Sequence, residues 1–120
     1  MLTIKTSGSL EQTIGMSAEN ALIVLSHLAD NAGRHNATVV RLAASGETGA
    51  VRVVVSNNGD AISDSNRDRI FDAFFTTRRD SGGTGMGLSI AQAMLRANGG
   101  SIRLLPEGQS TAFEVRFRAG

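Results

Sequence analysis

The stretch Gly82-Gly83-Thr84-Gly85-Met86-Gly87-Leu88-Ser89 directly precedes an apolar-periodic run that extends to Ala97. Glycines at alternate positions let the backbone adopt positive φ without a Cβ clash. The run after them predicts a helix, and a helix N-terminus combines free N–H groups with the positive end of the helix dipole. The stretch therefore predicts a phosphate-binding loop, with an ordinary flexible loop as the alternative. It matches neither the Walker pattern nor the dinucleotide fingerprint.

The composition is that of one globular domain. The chain has 120 residues, 41% hydrophobic and 19% charged, which suits a single domain with a sizeable core. Its formal net charge of +1 creates no field that favours nucleic acid or an anionic membrane. The absence of Cys excludes disulfides and thiolate metal ligands. No apolar run would span a membrane and no signal peptide is evident, so we expect a cytoplasmic domain with no direct membrane contact.

Hydrophobic patterning predicts a sheet with accompanying helices. A helix is expected from Ser17, its N-cap, to about Arg34. A short helix is expected at residues 64–72. Runs of β-branched and apolar residues predict four strands, at residues 38–44, 51–55, 101–105 and 112–118, and an N-terminal hairpin is expected to pair residues 2–5 with 10–14. Helices on one face of a mixed, mostly antiparallel sheet make a two-layer α+β sandwich.

The first predicted helix has an apolar face and a polar stripe. The apolar face consists of Leu22, Leu25, Leu28, Ala29 and Ala32. Four polar residues fall together on the opposite side, namely Asn20, His27, Asn31 and Arg34. Because Ile23 and Val24 flank this stripe, it suits the wall of a pocket, with an ordinary solvated face as the alternative.

An aromatic cluster and a polar segment precede the glycine stretch. Phe71, Phe74 and Phe75 lie within five residues and predict an anchor to the core. Residues 76–83 contain no apolar side chain. An anchored base followed by a polar segment that ends in glycine is typical of a mobile lid.

Four blocks stand in order along the chain, at residues 27–35, 55–62, 70–77 and 83–88. Together they resemble the asparagine, first glycine, phenylalanine and second glycine boxes of the catalytic, ATP-binding domain of sensor histidine kinases. That family shares the Bergerat fold with DNA gyrase and heat-shock chaperone ATPases. The resemblance implies a two-layer α/β sandwich of this type with a short ATP lid.

The resemblance implies binding of ATP and Mg²⁺. Asn31 would hold Mg²⁺ through its side-chain oxygen, which is a hard ligand. His27 and Arg34 would take the catalytic positions, with His27 orienting the attacking group and Arg34 reaching the phosphates; a purely structural His27 is the alternative. The other nucleotide-binding residues would be His35, Asn57, Gly59, Ala61, Ile62, Phe75, Arg78, Gly83, Thr84, Gly85, Met86, Gly87, Leu88 and Thr111.

Two positions depart from the family pattern. The family usually has Asp, which accepts a hydrogen bond from the adenine amine, where this chain has Asn57; a neutral acceptor is weaker by ~1 kcal/mol. Ala61 stands where a second glycine is usual, and a positive φ there would cost Ala about 1–2 kcal/mol. Weak binding, an altered purine preference and a degenerate kinase therefore stay open.

Neither His27 nor His35 lies in the His-Glu/Asp-x-x-x-Pro context of a phosphoacceptor. We therefore expect residues 1–120 to be a single ATP-binding domain without its phosphoacceptor. The expected partners are the dimerisation and phosphoacceptor domain of a parent kinase and, through it, a response regulator; that parent can carry a membrane anchor. The alternatives are a stand-alone regulatory module, such as an anti-sigma-type Ser kinase or a pseudokinase, and a gyrase-like or chaperone-like ATPase, which would need a transducer domain.

Overall fold

The structure, a computed structural model, describes residues 3–8, 15–67, 69–72, 87–106 and 111–119. Its elements in chain order are β1 (Thr3–Gly8), α1 (Ala18–Arg34), β2 (Val39–Glu47), β3 (Ala50–Asn57), α2 (Asp64–Arg67), α3 (Gly87–Ala97), β4 (Ser101–Leu104) and β5 (Thr111–Arg118). The five strands form one sheet in the order β1-β2-β3-β5-β4. β1 and β2 are parallel, and the other neighbours are antiparallel. This confirms the predicted mixed, mostly antiparallel α+β fold.

Helix α1 begins where its capping residue predicts. The Ser17 hydroxyl accepts a hydrogen bond from the Asn20 backbone N–H at 3.2 Å, which satisfies one of the unpaired amides of the first turn. The buried residues of the helix are Ala21, Val24, Leu28 and Ala32. The assignment of Leu22 to the core face is wrong, because its side chain is 66% exposed. The core face is centred nearer Val24, so it borders the polar stripe instead of opposing it.

The central hairpin extends beyond its predicted limits. β2 continues to Glu47, and the turn occurs at Thr48-Gly49, where Gly49 has a φ of 74°. β3 continues to Asn57, past the predicted end at residue 55. Its alternate residues from Val51 onward are buried, as expected for a strand with one covered face. Asn57 therefore lies on the same side of the sheet as the core.

One apolar core lies between the helices and the sheet. Its largest fully buried side chains are Phe113, Leu28, Leu95, Val24, Val40 and Val115. They come from both long helices and from strands β2 and β5, and they belong to one contiguous cluster. The helices thus cover one face of the sheet, as predicted. The alternation of β5 directs Phe113 and Val115 to that face and Glu114 to the other.

The remaining elements partly follow the predictions. β1 exists, and its described partner is β2; residues 10–14, the predicted return strand, lie outside the described residues. The short helix is one turn, Asp64–Arg67. Ile70 is buried, and the Phe71 ring packs edge-on against Phe113 at 6.2 Å between centroids. The predicted lid and Phe74 also lie outside the described residues. In the described part of the chain, no helix has the length and apolarity needed to cross a membrane.

Candidate functional site

The polar stripe of α1 lies beside the core. Asn20, His27, Asn31 and Arg34 are all half-buried. Val24, which borders the stripe, is fully buried. A solvated helix face would expose these side chains more fully, so the burial favours the wall of a pocket over an ordinary surface.

The start of α3 faces this stripe. A Cβ built on Gly87 would lie 3.4 Å from Nδ1 of His27, so the end of the glycine stretch reaches α1 at this residue. The first turn of α3 carries no acidic side chain, and its amides have no helical partners. A helix start of this kind attracts an anion. His27 therefore lies where a phosphate group would approach α3.

Asn31 follows His27 by one turn on the same stripe. It is half-buried, and its side chain makes no hydrogen bond to the described residues. Mg²⁺ usually takes one or two protein oxygens and completes its shell with phosphates and water. No group of three His, Cys, Asp or Glu side chains within the described ranges is placed to hold a metal. The Asn31 amide oxygen fits a metal that arrives with a nucleotide.

Arg34 is held along the helix. Its Nε donates to Oδ2 of Asp30 at 2.9 Å, and the two side chains are 32% and 62% exposed. An exposed pair of this kind is worth under about 1 kcal/mol, and it orients the guanidinium along the helix. Arg34 lies on the same stripe of α1 as Asn31.

The loop after β3 is tied to the end of α1. Oδ1 of Asn58 accepts from the backbone N–H groups of Thr38 and Val39 at 2.9 and 3.0 Å, and Nδ2 of Asn58 donates to Oγ1 of Thr38. The Asp60 backbone N–H donates to the carbonyl oxygen of His35 at 2.7 Å. These bonds hold the loop against the turn that follows α1.

Asn57 lies at the inner edge of this loop. It is 8% exposed, and its Oδ1 accepts from the Gly59 backbone N–H at 2.8 Å. Thr111 of β5 is its directly paired neighbour. Asn57, which the family resemblance assigns to the adenine, and Thr111, another predicted nucleotide-binding residue, are thus adjacent across two strands. Gly59 has no room for a side chain, since a Cβ there would lie 2.6 Å from the His35 carbonyl oxygen.

Ala61 does not carry the strain that a positive φ would cause. Among the described residues, Asn36 is the only non-glycine with positive φ. The missing second glycine therefore has no backbone cost in this chain. Ile62, the next residue, is buried at 9% exposure and anchors the loop.

The structure brings the described site residues together at two places along α1. Near the middle of α1, His27 lies beside Gly87, and the following residue, Leu88, is buried. Beyond the C-terminal end of α1, His35 lies beside Gly59. The eight residue steps from 27 to 35 correspond to about 12 Å along a helix axis. The other predicted site residues lie outside the described part of the chain; they are Phe75, Arg78, Gly83, Thr84, Gly85 and Met86.

Asn58 is a site-shaping residue that the motifs alone do not identify. Its position in a turn rich in amides is the only sequence signal, because Asn side chains commonly bond to nearby backbone. Asp60 similarly holds the loop, since its carboxylate accepts from Nδ2 of Asn36 at 2.6 Å.

Comparison with known proteins places this arrangement in a family. The model of the family described as "Histidine kinase-, DNA gyrase B-, and HSP90-like ATPase" matches residues 17–120, and the chain belongs to this family. It is 40% identical over 71 residues to the two-component sensor PprA of Pseudomonas aeruginosa, a match that covers 59% of the chain and 8% of PprA. It is 37% identical over 70 residues to the signal transduction histidine-protein kinase ArlS of Staphylococcus aureus, covering 54% of the chain and 16% of ArlS.

Solved structures show the same fold. The mycobacterial sensor histidine kinase MprB superposes with a TM-score of 0.80 at 20% identity, over 98% of this chain and 82% of that one. Full-length ShkA in complex with AMPPNP superposes with a TM-score of 0.78 at 31% identity, over 99% of this chain and 26% of ShkA. The chain thus corresponds to a small part of these longer sensor kinases.

Proposed function

We propose that this domain binds ATP with Mg²⁺ and serves as the catalytic domain of a two-component sensor histidine kinase. The observation that carries the proposal is the half-buried stripe of α1, which meets the start of α3 at His27 and leads to the Asn57 loop beyond its other end. One helix thereby connects the start of α3 with the loop that contains the buried Asn57. The AMPPNP complex of the related ShkA supports a nucleotide as the ligand.

Each end of the site has its own chemistry. The base lies against Asn57, which is buried, and Thr111, which is half-buried, where polar groups give direction to hydrogen bonds. The phosphates lie toward the start of α3 and Arg34, where helix amides and a guanidinium match their charge. Asn31 lies between these ends and supplies an oxygen to Mg²⁺, which offsets charge on the phosphates when bound.

Phosphoryl transfer needs an acceptor outside the described residues. A His nitrogen on a dimerisation domain attacks the γ-phosphorus, and the bond from that phosphorus to the bridging oxygen breaks to release ADP. The domain contributes position and charge to this step. His27 faces the phosphate end and can orient the acceptor. A response regulator then receives the phosphoryl group from the phosphorylated His.

Calorimetric titration with ATP, with and without Mg²⁺, tests nucleotide binding. We expect Asn31→Ala to weaken binding in Mg²⁺ by at least about tenfold, because the lost ligand oxygen corresponds to roughly 1.4 kcal/mol. Asn66→Ala makes the same change in α2, outside the stripe, and is the control. Absence of ATP binding by the unaltered domain would reject the proposal, and an unchanged Mg²⁺ dependence in Asn31→Ala would reject the metal assignment.

Supplying the acceptor in trans tests the kinase assignment. A dimerisation domain from the parent kinase is mixed with this domain and ATP labelled at the γ-phosphate. We expect label on the acceptor His, seen as an acid-labile and alkali-stable phosphoprotein. Nucleotide binding together with label on a Ser of a partner protein would instead support the alternative of an anti-sigma-type Ser kinase.

A further inference from the structure

The orientation of the Asn57 amide is fixed by its neighbour. Oδ1 accepts the Gly59 N–H at 2.8 Å. The reversed amide would set an NH₂ group against that N–H, two donors facing each other. Oδ1 therefore points into the loop, and Nδ2 occupies the other position.

Nδ2 of Asn57 is a hydrogen-bond donor that is available to a ligand. It makes no hydrogen bond to any residue in the described ranges, although the side chain is only 8% exposed. Nδ2 is not among the fully buried polar atoms that lack a partner, so it is accessible from the solvent side. A ligand acceptor can therefore reach this donor and pair with it. The only polar side chain paired directly with it across the sheet is Thr111, whose hydroxyl can either donate or accept.

This donor changes what the pocket selects. A carboxylate at this position would offer acceptors only; it would favour a purine with an amine at C6 and repel one with a carbonyl there. An amide with its oxygen already engaged presents a donor, which a C6 carbonyl can accept. We propose that Asn57 determines base specificity and lets the site take purine nucleoside triphosphates with a carbonyl at C6, of the inosine and guanosine type, nearly as well as ATP. This inference rests on the proposed nucleotide site.

The expected size follows from how polar pockets discriminate. A site built to pair with one substrate group rejects an analogue lacking it by about 10⁴-fold or more. A site that offers both a donor and an acceptor can pair with either base, so most of this discrimination is lost. We expect the dissociation constants for ATP and inosine triphosphate to agree within about tenfold in the unaltered protein.

Titration with ATP, inosine triphosphate and guanosine triphosphate, each with Mg²⁺, tests the inference. Asn57→Asp restores an acceptor-only group and keeps the bond from Gly59. We expect it to raise the preference for ATP over inosine triphosphate by at least about tenfold, through weaker binding of the inosine nucleotide. Asn66→Asp adds the same charge in α2, at a residue that holds no part of the proposed site, and it should leave the ratio unchanged.

The outcomes separate the two proposals. A preference for ATP above about 100-fold in the unaltered protein overturns this inference and leaves the proposed function standing. An unchanged ratio in folded Asn57→Asp also overturns it. Failure of the unaltered protein to bind any of the three nucleotides overturns both. If circular dichroism shows that Asn57→Asp is unfolded, the ratio measured for the unaltered protein decides alone.

Discussion

Asn57 and Glu114 are the two buried polar side chains among the described residues, and they lie on opposite faces of the same sheet. Glu114 is 3% exposed on the face without helices. Its carboxylate accepts from Nε of Arg52 at 2.6 Å, Arg103 at 3.0 Å and Arg116 at 3.0 Å. Asn57 faces the helices, and its side chain accepts one hydrogen bond, from the Gly59 backbone N–H. Three guanidinium groups satisfy the carboxylate of Glu114, whereas the amide of Asn57 keeps its Nδ2 donor for a ligand.

The difference distinguishes a buried polar group that stabilises the fold from one that is available to a ligand. The hydrogen bond from Arg103, followed by that from Arg52, lowers the pKa of Glu114 from an ordinary value of 4.5 to about 2, and the same contact raises the pKa of Arg103. A buried charge with full compensation ties three strands together. A buried amide with one open donor does little for the fold, and it is the one that carries the proposed specificity.

The largest effect is expected from Glu114→Gln. The change keeps the shape but removes the charge that three guanidinium groups share, and we expect the free energy of unfolding to fall by about 2 kcal/mol. Urea denaturation measures it. Glu47→Gln is the control, because within the described ranges Glu47 pairs only with Arg116, at 3.3 Å, and its side chain is 34% exposed; the change should cost under about 0.5 kcal/mol. Equal losses in the free energy of unfolding would show that the buried Glu114 carboxylate stabilises the protein no more than the exposed Glu47 carboxylate.

The pH dependence of stability should reveal the same carboxylate. The folded-state pKa of Glu114 is lowered, so its contribution is fully present above the unfolded pKa near 4.5. That contribution is lost as the pH falls from about 4.5 toward 2. The stability difference between the unaltered protein and Glu114→Gln should thus be constant above about pH 5 and shrink below it. A difference that stays constant down to pH 3 would contradict the assignment.

A smaller effect is expected from Gly59→Ala. Its Cβ would lie 2.6 Å from the His35 carbonyl oxygen, so the loop must shift, and we expect a loss of about 1.5 kcal/mol together with weaker nucleotide binding. Gly33→Ala is the matched control. A Cβ at Gly33 meets nothing within 4 Å, and alanine inside α1 should stabilise the protein by about 0.5–1 kcal/mol. Opposite signs in thermal unfolding support the close approach at Gly59.

The smallest loss of stability is expected from Asn57→Ala. Only the bond from Gly59 is removed, and the cost should be about 1 kcal/mol. Comparing this loss in the free energy of unfolding with that of Glu114→Gln tests whether the two buried groups contribute differently to stability. A loss from Asn57→Ala as large as that from Glu114→Gln would make Asn57 a structural residue and remove the contrast.

Local signals predicted much of the fold. The limits of α1 follow from the Ser17 cap and the helical period, and the β2–β3 hairpin follows from two apolar runs around a short turn. The pairing of β1 with β2 did not follow, because parallel neighbours need a crossover and leave no local turn signal. Leu22 was misplaced because the core face and the polar stripe share one side of the helix.

The site was predictable in its residue types and less so in its geometry. Motif spacing places Asn31 and Asn57 as polar candidates, and the structure shows both as half-buried or buried. Sequence alone could not show that Gly59 engages Oδ1 of Asn57, since that depends on loop conformation. Nor could it show the arginine cluster around Glu114, because strand register brings Arg52 and Arg103 to it from distant positions.

The pairing of Asn57 with Thr111 also has a kinetic consequence. Asn57 and Thr111 are paired across the sheet although residues 58–110 lie between them in the chain, so the base end of the site forms only when this long connection closes. Doubling such a connection costs only about 0.6 kcal/mol, yet non-local pairing slows folding. Insertions between the elements of this connection should leave equilibrium stability nearly intact while delaying refolding, and nucleotide binding should appear during refolding only as β3 and β5 pair.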